Sequence, residues 1–120
     1  MSIQIPGYLE SDITLAHFAP GDTIFEVGQP GDLMYLVKSG EVAIKIGDNV
    51  VGTIRPGEIF GEMALIDAAP RSATAIAATE CTLLPINEKR FLFMIDEVPF
   101  FALQVMRIMS RRLRSADSQM

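Results

Sequence analysis

One cysteine, one histidine and no tryptophan leave this 120-residue chain few of the groups that most reaction chemistry uses. Cys81 has no second cysteine, so an intrachain disulfide is excluded, and in a strand context a lone cysteine reads as a small buried hydrophobe. Cys81 and His17 together fall short of a zinc ligand set, and no metal site is expected. His17 reads as a helix-face or loop residue. No nucleophile stands beside a general base and no paired carboxylates mark a reaction centre, so the chain is not expected to be an enzyme. Positive charge is scarce as well. Ten Lys and Arg against fifteen Asp and Glu give a net charge of −5. That balance lacks the basic footprint a nucleic-acid partner requires. The apolar runs are broken by Gly, Pro or charge short of the roughly 20 residues of a membrane-spanning helix. The opening MSIQIPGYLESD has neither the basic flank nor the apolar core of a secretion signal. These absences together point to a cytoplasmic protein with no membrane partner and no nucleic-acid partner.

Apolar residues are plentiful at 49%, enough for one core, and the length suits one domain, residues 1–120. Eight of the nine glycines lie between Gly21 and Gly61. Between them sit short stretches with β character at 23–27, 34–38, 41–46 and 50–54. Val42, Ile44 and Ile46 alternate with Ala43 and Lys45, the period of a strand with one buried face. Pro-Gly at 20–21, 30–31 and 56–57 and Gly-Asp-Asn at 47–49 read as turns. Two further strands are expected at 73–78 and 81–86, with Pro85 near a strand edge or end. Residues 19–87 therefore read as a β-roll, with a jelly roll or barrel as the expected architecture. Before it, Ile13, Leu15, Ala16 and Phe18 follow Ser11-Asp12 and suggest a short N-terminal helix with a cap. After it, residues 88–116 change to a helical period. Asn87 can cap a first helix, and Pro99 suits the first turn of a second. On the second, Ala102, Met106, Met109 and Leu113 fall at spacings of four, three and four, a seam expected to face a partner surface, and Leu103, Val105 and Ile108 broaden the apolar face. Ser115 to Met120 is polar and is expected to fray.

The densest chemistry lies in FGEMALIDAAPRSATA, from Phe60 to Ala75. It holds one acid, Glu62, and one arginine, Arg71, nine positions apart. Gly61 leaves the backbone open to close approach. An ionised Glu62 only accepts hydrogen bonds, and paired sugar hydroxyls are a natural donor. Met63-Ala64-Leu65 favours a helical turn whose free N–H groups attract an anion. Arg71 carries a planar, permanently charged fork suited to phosphate, and Ser72 adds a hydroxyl and an N–H. Read alone, Glu62 and Arg71 could equally form an ordinary surface ion pair, worth about 0–1 kcal/mol.

In its order of residues this stretch resembles the phosphate-binding cassette of the cyclic-nucleotide-binding domain family. Gly61, Glu62, Met63, Ala64, Leu65, Pro70, Arg71, Ser72, Ala73 and Thr74 match it in sequence. The likeness runs upstream through PGDTIFEVGQPGDLMYLVKSGEVAI and downstream to RRLR. The resemblance implies that Glu62 accepts a ribose hydroxyl beside the Gly61 backbone. It implies that Arg71 pairs with the cyclic phosphate, helped by Ser72 and the N–H groups of Ala64 and Ala73. Ile44, Val51 and Ile54 then line the base, though each also reads as plain core. Serine after the arginine leans toward cAMP over cGMP. In the catabolite-activator branch an arginine at the register of Arg112 reaches back to the acid. Read from the sequence alone, Arg107, Arg111, Arg112 and Arg114 also fit a solvated helix end. The chain shows no effector segment, and its last helix reaches Ala116 and Asp117 where that branch covers the base. The implied protein is a sensor or regulatory module that binds cAMP or cGMP, with no further cofactor. It would be a monomer or weak homodimer, signalling through its C-terminal helices to a separate effector protein. The alternative is a protein–protein interaction module with a vestigial or repurposed pocket.

Overall fold

Two apolar runs, Met34–Val37 and Cys81–Ile86, show no clean alternation, and the architecture explains them. The computed structural model describes residues 2–3 and 5–118, with side-chain burial described as far as Arg114. The first run lies on β3 (Leu33–Ser39) and the second on β8 (Cys81–Asn87). These strands pair antiparallel, Leu36 opposite Leu84. They form the middle of a four-stranded sheet with β1 (Ala16–Phe18) and β6 (Ile59–Phe60) at its edges. Both faces of this sheet are covered. Met34, Leu36, Ile59, Leu84 and Ile86 point to one core, and Tyr35, Val37, Phe60, Cys81 and Leu83 point to another. A strand buried on both faces needs apolar residues at successive positions.

The second sheet has the order β2-β7-β4-β5, all antiparallel: β2 (Thr23–Phe25), β7 (Thr74–Ala77), β4 (Val42–Ile46) and β5 (Asn49–Ile54). Its inner face adds Val42, Ala75 and Ala77 to the inter-sheet core. Of the alternating residues expected on its buried face, Val42 and Ile44 pack on that core, whereas Ile46, past a register shift between Ile44 and Lys45, is 56% exposed. The result is the expected mainly β jelly roll with flanking helices. Those are α1 (Met63–Ile66), α2 (Glu88–Glu97) and α3 (Pro99–Ser118). The second core lies between the first sheet and α2 and α3, through Met94, Phe101, Val105 and Ile108. Asn87 Oδ1 accepts from the Arg90 N–H at 2.8 Å and caps α2 as its sequence suggests, and α3 begins at Pro99. Pro85 sits inside β8, beyond Leu83 where the pairing with β1 ends, so that side of the strand has no ladder bond to lose. Among the described residues no helix is long and apolar enough to cross a membrane.

Three local expectations change. The N-terminal helical element is a 3-10 turn at Gly7–Leu9, not a helix after Ser11. Ala16–Phe18 instead forms β1, pairing Ala16 with Leu83 and Phe18 with Cys81. A single helical turn carries the full nucleation cost, whereas this strand joins a ladder already built. His17 accordingly stands exposed on a strand, its Nδ1 3.2 Å from Thr82 Oγ1. On α3 the buried stripe is Phe101, Val105 and Ile108, the last two from the expected apolar face, and it lies one residue out of phase with the expected seam, of which Met109 still packs on the core. Both phases fit the 4-3-4 spacing; the Phe101 ring, edge-on to Phe91 at 5.7 Å, decides between them. Met106 and Leu113 of the expected seam are 57% and 66% exposed. The helix runs two residues past the expected end at 116. The surroundings of Ala116 and Asp117, and of the side chains from Ser115 to Met120, lie outside the described residues.

Candidate ligand-binding site

Glu62 leads into α1 and, at 4% exposure, is one of two charged residues that are nearly fully buried among the described residues. Its carboxylate accepts a hydrogen bond from Arg112 Nη1, forming an ion pair, and Arg112 Nη2 donates to the Ile59 carbonyl. Arg112 is next on the Phe101–Val105–Ile108 stripe, four residues beyond Ile108. The stripe that docks α3 on the sheet therefore ends by delivering a cation to the acid. The partner of Glu62 is Arg112, and the surface ion pair between Glu62 and Arg71 is not formed.

Arg71 is the other buried charge, at 7% exposure. Its Nη2 donates to the Leu33 carbonyl at 2.7 Å and its Nη1 to the Gly61 carbonyl at 3.1 Å. The guanidinium lies over the Phe25 ring at 4.0 Å, and Phe25, Tyr35 and Phe60 form an aromatic cluster beside it. Gly61 adopts φ +78°, and a Cβ there would come within 2.7 Å of Arg71 Nη1. The freedom of Gly61 thus makes room for the arginine. Burial lowers the Arg71 pKa, opposed by the nearby Tyr35, Asp32 and Glu62. An arginine stays charged through such a shift. Among the described residues no carboxylate pairs with it. A buried guanidinium held by two neutral carbonyls is a cation awaiting an anion. The same burial pushes the Tyr35 phenol pKa up.

Both charges border one cavity of about 510 Å³, within the range of small-ligand sites. The cavity collects the residues to which the resemblance gives a ligand role, while Leu65 and Thr74 of the matched cassette do not line it. Gly61, Glu62, Met63 and Ala64 come from the start of the cassette, and Arg71, Ser72 and Ala73 from its end. Ile44, Val51 and Ile54 form an apolar wall from β4 and β5, and Arg112 closes one side from α3. Val51 is 57% exposed and belongs to neither core, so plain core packing does not account for it. Ile44 and Ile54 both line the cavity and pack on the inter-sheet core. Sequence reasoning missed Phe25 and Phe60, whose role comes from β2 and β6 meeting the cassette in space. No spacing pattern marks them. Among the described residues no cluster of His, Cys, Asp and Glu could hold a metal ion.

A buried acid and a buried unpaired arginine, nine residues apart on one cavity of a jelly roll, agree with the family comparison. The model of the cyclic nucleotide-binding domain matches residues 15–98. The chain belongs to the cyclic nucleotide-binding domain family. Similar proteins include the cyclic AMP receptor protein of Thermus thermophilus, 35% identical over 92% of this chain and 56% of that protein. A CRP-like cAMP-activated global transcriptional regulator of Mycobacterium tuberculosis is 31% identical over 86% of this chain and 48% of its own length. The crystal structure of the Thermus thermophilus catabolite activator protein superposes with a TM-score of 0.83 at 33% identity. That match covers 93% of this chain and 55% of the other. The cyclic nucleotide-binding domain described here spans about half the length of these relatives.

Proposed function

We propose that this domain is a cytoplasmic cyclic-nucleotide sensor, with cAMP its preferred ligand, and that it regulates an effector without catalysing a reaction. Arg71 takes the cyclic phosphate, with Ser72 and the N–H groups of Ala64 and Ala73 completing the cradle. Glu62 accepts from the ribose hydroxyl beside the Gly61 backbone, Met63 flanks the sugar, and Ile44, Val51 and Ile54 pack on the base. The observation that carries this reading is the buried Arg71 guanidinium, which faces the cavity with only neutral acceptors. A cyclic phosphate supplies the missing charge without the double charge of a phosphomonoester. The preference for cAMP rests on Ser72 and on relatives described as cAMP-responsive.

Output runs through α3. Arg112 joins that helix to the ribose-binding acid, so ligand contacts with Glu62 differ in energy between positions of α3. That difference lets a ligand shift the helix and an effector protein read the movement. Calorimetric titration with cAMP and cGMP tests the site. Arg71→Ala should cost about 2–5 kcal/mol of binding, because the phosphate is left without its partner. An affinity unchanged by the substitution removes Arg71 from the site. One observation favours a protein-interaction module instead: Leu103, Met106 and Leu113 leave α3 with uncovered apolar surface. No thermal stabilisation by either nucleotide would support that second reading.

A further inference from the structure

Arg71 owes its placement to a loop outside the cassette. The segment between β2 and β3 grips its main chain from both sides. The Gly28 N–H donates to the Arg71 carbonyl at 2.7 Å, and the Arg71 N–H donates to the Gln29 carbonyl at 2.8 Å. Three residues on, Gly31 lies against the side chain. A Cβ on Gly31 would stand 2.6 Å from Arg71 Nε, 2.7 Å from Cζ and 2.8 Å from the Ala64 Cβ on α1. All three are closer than atoms can pack. Pro30-Gly31 was expected to be a turn, yet Gly31 lacks the positive φ that marks Gly28, Gly40 and Gly61. Its backbone would accept an ordinary residue, so what glycine provides here is space. That space is filled by the guanidinium. Ala64 is carried on the cassette helix, whereas the guanidinium ends a flexible side chain. A methyl group at position 31 would therefore displace Arg71 first. Displacement would loosen its bonds to Leu33 and Gly61 and its stacking on Phe25.

We propose that Gly31 is the positioning residue for the phosphate-binding arginine, setting where the Arg71 guanidinium stands between α1 and the Phe25 ring. The consequence for ligand rests on the function proposed above; the steric relation does not.

Two measurements separate them. The first is ligand-free: thermal unfolding of wild type, Gly31→Ala, Arg71→Ala and the double variant. With Arg71 present, Gly31→Ala should lower Tm by about 5 °C. With Arg71→Ala in place, the same change should cost at most half as much, the remainder reflecting Ala64. An equal fall in both backgrounds, or no fall in either, overturns the proposal. Should Gly31→Ala fail to fold, the double variant should recover folding, and its failure to do so counts equally against the proposal. The second is a cAMP titration of wild type and Gly31→Ala under folded conditions. Losing one charge-assisted hydrogen bond corresponds to about a tenfold weaker Kd. Tight wild-type binding with unchanged affinity in Gly31→Ala refutes the positioning role. A wild type that binds no cyclic nucleotide defeats the functional reading, and the Tm comparison then decides Gly31 alone.

Discussion

Replacing Arg112 by Ala removes the ion pair that ties α3 to the cassette. In the intact pair the Glu62 side chain is 6% exposed and the arginine 39% exposed. Breaking a fully buried ion pair costs about 3–5 kcal/mol, and breaking an exposed one about 0–1 kcal/mol. With one partner buried and the other part-solvated, the pair should lie between, near 2 kcal/mol. The hydrogen bond to the Ile59 carbonyl adds about 0.5–1.5 kcal/mol. Arg112→Ala should therefore destabilise the domain by about 2.5–3.5 kcal/mol in urea unfolding. Most of that cost is the stranded carboxylate, which gives the reasoning a sharper check. In a Glu62→Gln background no charge is stranded, and Arg112→Ala should cost only about 1 kcal/mol, the share of the Ile59 bond. The four-variant cycle should return a coupling of about 2 kcal/mol, the share of the ion pair. Additive effects, with a coupling below about 0.3 kcal/mol, would mean that the ion pair does not tether α3, and the proposed output route would fall with it.

Two further outcomes follow from local geometry. Ala68 has φ +50° in the left-handed region just after α1, the position where helices favour glycine, so Ala68→Gly should raise stability by about 0.5 kcal/mol. A lower urea midpoint would show that this backbone is not strained. Asp12 accepts from Arg90 Nη2 at 2.6 Å, and that hydrogen bond holds its carboxyl pKa below the usual 3.8. A depressed folded pKa gives stability that is present above the unfolded value and is lost as pH falls through the folded one. Asp12→Asn should lower Tm at neutral pH, and its Tm should converge with that of wild type as acid protonates Asp12. A gap that is unchanged in acid would show that the ion pair is not its source.

The cassette was legible because its chemistry is local. Glu62, Arg71 and Ser72 sit in an ordered run whose residue types fit a sugar and a phosphate, and the structure brings them to one cavity. The strands between Gly21 and Gly61 were legible from glycine spacing and their short β-prone runs, and β8 from its apolar run. What escaped was set by distant pairing. Ala16–Phe18 looked helical because nothing nearby in sequence reveals β8 as its neighbour. Ile59–Phe60 makes a two-residue strand too short for any periodicity, and Phe25 gains its place under Arg71 only through tertiary packing. On α3 two stripes one residue apart satisfied the same spacing, and only the bulk of Phe101 against Phe91 chose between them. The surface ion pair between Glu62 and Arg71 was a fair reading of composition and does not form, whereas the reach of Arg112 to Glu62, implied by the family resemblance, does.

The two ends of the cassette are anchored differently, and that separates sensitivity from amplitude. The arginine end is bonded through its main chain to the loop at Gly28 and Gln29, between two strands of the roll. The acid end is tied to a helix on the outside of the molecule. On the proposed reading, contacts at Arg71 are the same whichever way α3 stands, so they set the dose of nucleotide required. Contacts at Glu62 change with α3, so they set how large a response each bound molecule produces. Variation at the arginine end would then yield sensors tuned to other concentrations. Variation at residues 62 and 112 would yield partial agonism from an unchanged ligand.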